Sequence, residues 1–147
     1  MTDNGFDQIF PLGEPNDAYA QYFTGQSYLA PLAAGSVPVS NVTFEPCCRN
    51  NWHIHHGRGG GGDQILMCTA GSGWYQADGQ EPLSMVPGTV IRVPAGTKHW
   101  HGAKADSWFS HVAFITPRHQ RFVGERPSTG TDGDLTHGDL CRGPYLE

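Results

Sequence analysis

Charge is scarce in this chain. Asp, Glu, Lys and Arg make up 16% of its 147 residues, against about a quarter in an ordinary globular domain. Only nine residues are Lys or Arg, fourteen are acidic, and the net charge is −5 with His neutral. The basic residues are scattered, so no patch exists to hold phosphates. This excludes nucleic acid and anionic membrane surfaces as expected partners. Long hydrophobic runs are missing too, since none approaches the roughly 18 residues that cross a bilayer. The opening stretch MTDNGFDQIFPLGEPND has neither a charged n-region nor an h-region, and a cytoplasmic protein is expected. Cysteine is sparse: Cys47 and Cys48 are adjacent, and Cys68 and Cys141 stand alone. Adjacent cysteines on a strand point to opposite faces and rarely bridge, so all four read as free thiols in a reducing compartment. Nor do Cys47, Cys48, His53 and His55 form the C-x2-4-C clamp of a structural zinc site. Asn41-Val42-Thr43 matches a glycosylation acceptor, which has no meaning unless the chain is secreted.

Turn residues are plentiful: 20 glycines and 11 prolines. They indicate many short elements joined by tight turns, an all-β pattern of one domain. Residues 1–27 are rich in Gly, Pro, Asp and Asn and read as an N-terminal arm. A β-barrel is expected over 28–117. In it YLAPL is interrupted by Pro31, which suggests an edge, and VPVSNVTFEP alternates through Val37, Val39, Val42 and Phe44. QILMCTAGSGWYQADGQ reads as two strands ending at the turn Asp78-Gly79, and EPLSMVPGTVIRVP repeats the scheme around Pro87-Gly88. SWFSHVAFITP is the last strand, with Phe109, His111, Ala113 and Ile115 on one face. Residues 118–147 are polar and aperiodic and read as an irregular C-terminal tail. Seven to ten strands are expected, with no helix and no internal repeat. They suit a sandwich or a closed barrel with a mouth for a small ligand.

The chemistry concentrates in two segments, NNWHIHHGRGGGGDQ and PAGTKHWHGA. His53 and His55 are two apart, so on a strand both imidazoles share a face; the same holds for His99 and His101. Either pair alone reads as solvated or hydrogen-bonded histidine. Two such pairs on facing strands build an imidazole cage for one divalent metal ion. His111 sits among apolar residues, where a lone histidine is ordinarily a satisfied core group; beside a cation it becomes a neutral proton acceptor. His56 falls on the opposite side and reads as a rim residue, and His119 and His137 belong to the tail. Trp52, Trp74, Trp100 and Trp108 read as packing. Gly59 to Gly62 lack the Lys-Ser/Thr of a phosphate loop and read as a mobile flap or a spacer.

The combined spacing is more specific. His53-x-His55, Gln64 and Gly71 are followed by Gly88, Pro94-x-Gly96 and His99, and this two-part pattern resembles the cupin family. The likeness covers about half the chain, roughly Thr43 to Ala113. Ala103 stands where the family's second motif ends in Asn. Gln64 stands where the first motif usually has Glu, and HGRGGGGD lengthens the gap before it. Asp63 competes with Gln64 for that role, but Gln64 keeps the six-residue step to Gly71. The segments VTFEP, NWHIHH, QILMCTAGSGWYQ, GTVIRVPAGTKHWHGA and SWFSHVAF are similar to small bacterial cupins. Some of these are manganese-dependent hydroxynitrile lyases, and others occur beside carboxymuconolactone decarboxylase-like proteins.

The resemblance implies a double-stranded β-helix, assembled as a homodimer or higher oligomer. It also implies metal ligands His53, His55, Gln64 and His99, with His101 and His111 near the metal without binding it. A neutral glutamine in place of glutamate offsets none of the cation's charge, leaving a stronger Lewis acid held less tightly. The expected function is a divalent-metal enzyme of lyase or isomerase type acting on a small oxygenated organic molecule, with His111 or His101 moving a proton. Manganese or iron is favoured, and zinc or nickel would also suit the donors. An Fe(II) dioxygenase and a non-catalytic metal-containing module that binds a small molecule are the alternatives.

Overall fold

The computed structural model describes residues 5–57 and 62–117. Arg58 to Gly61, Cys141, the tail expected over 118–147 and its histidines His119 and His137 lie outside the described residues. Alternation of apolar and polar residues sets the strands. In Gln64–Gly71 every second side chain, from Gln64 through Leu66 and Cys68 to Ala70, is buried, as expected of a strand with one face on a core.

Eleven strands are present among the described residues: β1 Glu14–Pro15, β2 Phe23–Thr24, β3 Ser27–Ala33, β4 Val39–Phe44, β5 Arg49–Asn50, β6 Gln64–Gly71, β7 Gly73–Ala77, β8 Leu83–Met85, β9 Val90–Val93, β10 His99–Ala103 and β11 Phe109–Ile115. A six-stranded sheet runs β1-β3-β4-β11-β6-β9 and a five-stranded sheet runs β2-β5-β10-β7-β8. All pairings are antiparallel. Between the sheets lie Phe44, Leu66, Met85, Val93 and Phe109, each at most 1% exposed. Burying each of these side chains stabilises the fold by about 1.5–3 kcal/mol relative to exposure. The architecture is the all-β double-stranded β-helix expected from the sequence.

The described part of the N-terminal stretch is built into both sheets. β1 pairs with β3, β2 pairs with β5, and a 3₁₀ helix, Asp17–Tyr22, joins them. No helix was expected there, because six residues show no apolar period. Pro31 lies just beyond the two residues of β3 that β1 covers, and the register with β4 slips between Pro31 and Ala33. That is where a strand tolerates a residue without an N–H.

Two turns orient the second half of the molecule. In Val86–Thr89 and Pro94–Thr97 the fourth N–H donates to the first carbonyl, at 2.9 and 3.1 Å. Gly88 and Gly96, each third in its turn, have φ of +96° and +83°, the left-handed conformation that a type II turn demands. The second turn delivers the chain into β10 at His99.

Candidate metal centre

The first histidine segment departs from the strand expected of it. β5 ends at Asn50, and His53 meets His99 through an isolated bridge in which each backbone N–H donates to the other's carbonyl, at 2.9 and 3.0 Å. His55 lies outside any ladder; its carbonyl accepts the Gly96 N–H at 2.7 Å. The turn before His99 is thus tied directly to the first segment. Asp63 completes the tie: Oδ1 accepts the Ala95 N–H at 2.9 Å, and Oδ2 accepts Arg92 Nε at 2.8 Å and pairs with Nη2 at 2.6 Å. These bonds, the Ala95 N–H first, hold the Asp63 carboxyl below its ordinary pKa. Asp63 is committed to the turn, which leaves Gln64 facing inward from β6.

The structure brings all six sequence-selected residues into one buried neighbourhood. The His53 ring lies 4.9 Å from His55, 4.2 Å from His99 and 5.7 Å from His101, centroid to centroid. His55 and His99 are 5.4 Å apart. Gln64 Oε1 stands 3.1 Å from His99 Nε2. His53, His99 and His101 each offer a ligand atom within 4.8 Å of the others, a group able to hold a metal ion. Among the described residues, no cysteine joins this group.

Two backbone contacts decide which nitrogen each ring presents. His53 Nδ1 is 2.7 Å from the Asn51 carbonyl and His99 Nδ1 is 2.9 Å from the Thr97 carbonyl. A carbonyl only accepts, so both rings carry their proton on Nδ1 and keep a lone pair on Nε2. A carbonyl of the residue two positions back orients the ring in both cases, the support that metal-binding histidines commonly use. His99 Nε2 and Gln64 Oε1 are then two electron-pair donors facing each other across 3.1 Å. Two ligands about 2.1 Å from one ion and at right angles stand about 3.0 Å apart. The donor set therefore fits a divalent metal.

Behind this set lies a second polar chain. His111 Nε2 is 3.1 Å from His101 Nδ1. Asn50 Nδ2 is 3.0 Å from His101 Nε2, and Asn50 Oδ1 accepts the His101 backbone N–H at 2.9 Å. Phe44 closes on His101 and His111 at 5.9 and 5.4 Å, and Phe109 on His111 at 5.4 Å. Burial in this apolar setting holds the His101 pKa well below the ordinary imidazole value and brings His111 down to about 4. For His99, burial and then the neighbouring His53 bring it down to about 2. All three are neutral imidazoles at pH 7. Sequence reading did not select Asn50 or Tyr75, whose ring lies 5.8 Å from His99. Tyr75 had a signal, its inward position on a strand; Asn50 had none.

The other sequence readings find their places. His56 is exposed at the rim. Trp100 donates Nε1 to Gln76 Oε1 at 2.9 Å with Arg49 over its ring; Lys98 and Lys104 lie over Trp52 and Trp74, and Trp108 stacks on Phe6. Cys47, Cys48 and Cys68 are free thiols. Asn41 is fully buried and hydrogen-bonded, closed to any glycan.

A jelly-roll barrel with imidazoles from two sequence segments at its centre defines a small class of proteins, and known proteins agree with it. No family model matches the chain. The chain is 38% identical over 98 residues, 64% of its own length and 71% of the relative's, to the (R)-mandelonitrile lyase of Granulicella tundricola. A cupin-like protein from Thermotoga maritima superposes with a TM-score of 0.66 at 33% identity, over 75% of this chain and 81% of that one. A cupin 2 conserved barrel domain protein from Rhodopseudomonas palustris shares the fold, with a TM-score of 0.60 at 14% identity over 74% and 72%. The chain belongs to the cupin superfamily.

Proposed function

We propose that this cupin is a divalent-metal-dependent lyase that cleaves a hydroxynitrile, with the ion held by His53, His55, Gln64 and His99. The observation that carries the reading is the pairing of His99 Nε2 with Gln64 Oε1 at 3.1 Å while His99 Nδ1 is taken by Thr97. His55 is taken as the third imidazole because its ring lies 4.9 Å from His53 and 5.4 Å from His99 and the cupin-like spacing puts a ligand there. The similarity to a mandelonitrile lyase supports the substrate class.

When bound, the metal supplies Lewis acidity toward a substrate oxygen, and manganese or iron is the favoured ion. The protein's part is proton movement. His101 and His111, neutral and 3.1 Å apart, receive the hydroxyl proton. The carbon–nitrile bond breaks with its electron pair on cyanide, and the carbinol carbon becomes an aldehyde. The pair then returns the proton to cyanide, so that atoms and charge balance. Phe44 and Phe109 keep water from the imidazoles. Assembly as a homodimer or higher oligomer belongs to the same proposal.

The test is metal analysis followed by turnover of (R)-mandelonitrile, read as benzaldehyde release. One equivalent of manganese or iron per chain is expected, with metal lost in His99→Ala. In His111→Ala the metal should stay and the rate should fall about a hundredfold. Zinc-loaded protein that stays active supports polarising chemistry, and activity confined to iron with oxygen consumption would replace the lyase by a dioxygenase. A fully loaded protein inert toward every cyanohydrin would overturn the reaction, and no metal uptake would overturn the site.

A further inference from the structure

We infer that the Tyr75 hydroxyl is a hydrogen-bond donor to the leaving group: it binds the nitrile nitrogen of a hydroxynitrile seated at the metal centre, and cyanide as the carbon–nitrile bond breaks. The nitrile rests on the reading above; the placement of the donor does not. Tyr75 faces the barrel interior from β7, opposite His101 on β10, and is 6% exposed. Although His101 is its ladder partner, the imidazole its ring meets is His99, one inward position further along, at 5.8 Å. The side chain therefore leans along the strand toward the end of the barrel that holds His99 and Gln64. In a tyrosine Cβ, the ring centre and the hydroxyl oxygen lie on one line, so the oxygen carries that lean furthest. The inner face beside it is not filled. Ala77, the ladder partner of His99, is half-buried, and Leu83, opposite Tyr75 on β8 and on the same face, is 51% exposed. Strands β8 and β9 each end a sheet and do not pair with one another, which leaves this side of the barrel open.

A tyrosine buried this deeply ordinarily finds a partner for its hydroxyl. Tyr75 makes no such hydrogen bond among the described residues, and its oxygen is not sealed off either: the sealed, unpartnered side-chain atoms there are His55 Nε2 and His111 Nδ1. The O–H is thus free to meet a ligand. A phenol titrates at about 10, so at neutral pH the oxygen still has a proton to share. A nitrile nitrogen is a weak acceptor, whereas cyanide, with a full negative charge, is a strong one. The bond therefore strengthens as the carbon–nitrile bond breaks, the condition under which an interaction raises a rate rather than only tightening binding. His101 and His111 move the proton; Tyr75 steadies the charge on the departing atoms.

Tyr75→Phe removes the oxygen and nothing else. Because that oxygen has no partner in the fold, the urea midpoint and the manganese content should match those of the wild type. Azide, a linear anion like cyanide, probes the donor without turnover. Titrated into the manganese-loaded full chain, it should bind about tenfold more weakly to Tyr75→Phe than to the wild type, the loss expected for one hydrogen bond to a charged group. In turnover of (R)-mandelonitrile, kcat should fall about a hundredfold while KM stays within about twofold, because the donor acts mainly on charge that develops during bond breaking. A wild type that binds no azide, azide bound equally by the two proteins, or an unchanged kcat in an active enzyme would overturn the inference. Weaker azide binding by Tyr75→Phe in a protein that cleaves no hydroxynitrile would uphold Tyr75 as an anion donor and sink only the proposed reaction.

Discussion

At the scale of single residues, Gln64 is the most informative position. A glutamate there would add a negative charge within reach of any cation bound at His99 Nε2, whereas the amide adds none. Gln64→Glu should therefore bind the metal more tightly, by about tenfold or more, since one pKa unit's worth of interaction is about 1.4 kcal/mol. The same charge should reduce the ion's pull on a substrate oxygen and lower kcat. Competition with a chelator and turnover on one preparation measure both; tighter binding with unchanged kcat would mean that ligand charge does not govern the rate. The site was legible in part. His53, His55, His99 and Gln64 stood out because two-residue spacing and the six-residue step to Gly71 are written in the chain. The Asn51 and Thr97 carbonyls that orient two of the rings were not, because a backbone acceptor leaves no mark on residue identity. Asn50 was invisible for a related reason: nothing along the chain says that β5 lies beside β10 with Arg49 opposite Gly102.

At the scale of elements, the N-terminal segment is a strap over the outer face of the six-stranded sheet. Asn41 and Thr43 on β4 and Ser110 on β11 point away from the core, yet all are 0% exposed. Gln8 covers them: Oε1 accepts Asn41 Nδ2 at 3.0 Å and Ser110 Oγ at 2.8 Å, and Nε2 donates to Thr43 Oγ1 at 3.2 Å. A buried polar group that loses its partner costs about 1–3 kcal/mol. Gln8→Ala should lower the unfolding free energy by that amount, read as a lower urea midpoint at unchanged slope, while Ile9→Ala, at a position 83% exposed, should stay within about 0.5 kcal/mol of wild type. Equal effects would show that the strap is not held by Gln8. Strand positions between 28 and 117 could be read from alternation because a half-buried strand repeats every two residues. The strap could not, because its hold depends on polar residues far apart in sequence. The first histidine segment was expected on a strand, but it holds its two-residue spacing with isolated bridges, His53 to His99 among them, and no continuous ladder.

For the whole molecule, the buried imidazoles make stability depend on pH in a defined direction. His99 and His111 titrate at about 2 and about 4 in the folded chain and His101 well below its ordinary value, chiefly because burial disfavours the charged ring. In the unfolded chain each returns to about 6.5. Below that value the unfolded state binds more protons than the native state, so stability falls as pH falls. Above it all three are neutral in both states, and their contribution is complete. Between pH 7.5 and 5.5 each should cost about 1.4 kcal/mol, or about 4 kcal/mol for three, an order-of-magnitude sum. Urea unfolding of chelator-treated protein at the two pH values measures the difference, and His111→Asn should reduce it by about a third. Metal bound only to the native state adds a separate increment, about 2.7 kcal/mol at a free concentration one hundred times Kd. That increment should also shrink on acidification, because the imidazoles must be unprotonated to bind. A metal-free chain whose stability changes by less than about 1 kcal/mol would mean that solvent protons reach these rings as easily in the native state as in the unfolded one. The dry, neutral imidazole cluster on which the proposed chemistry depends would then not exist.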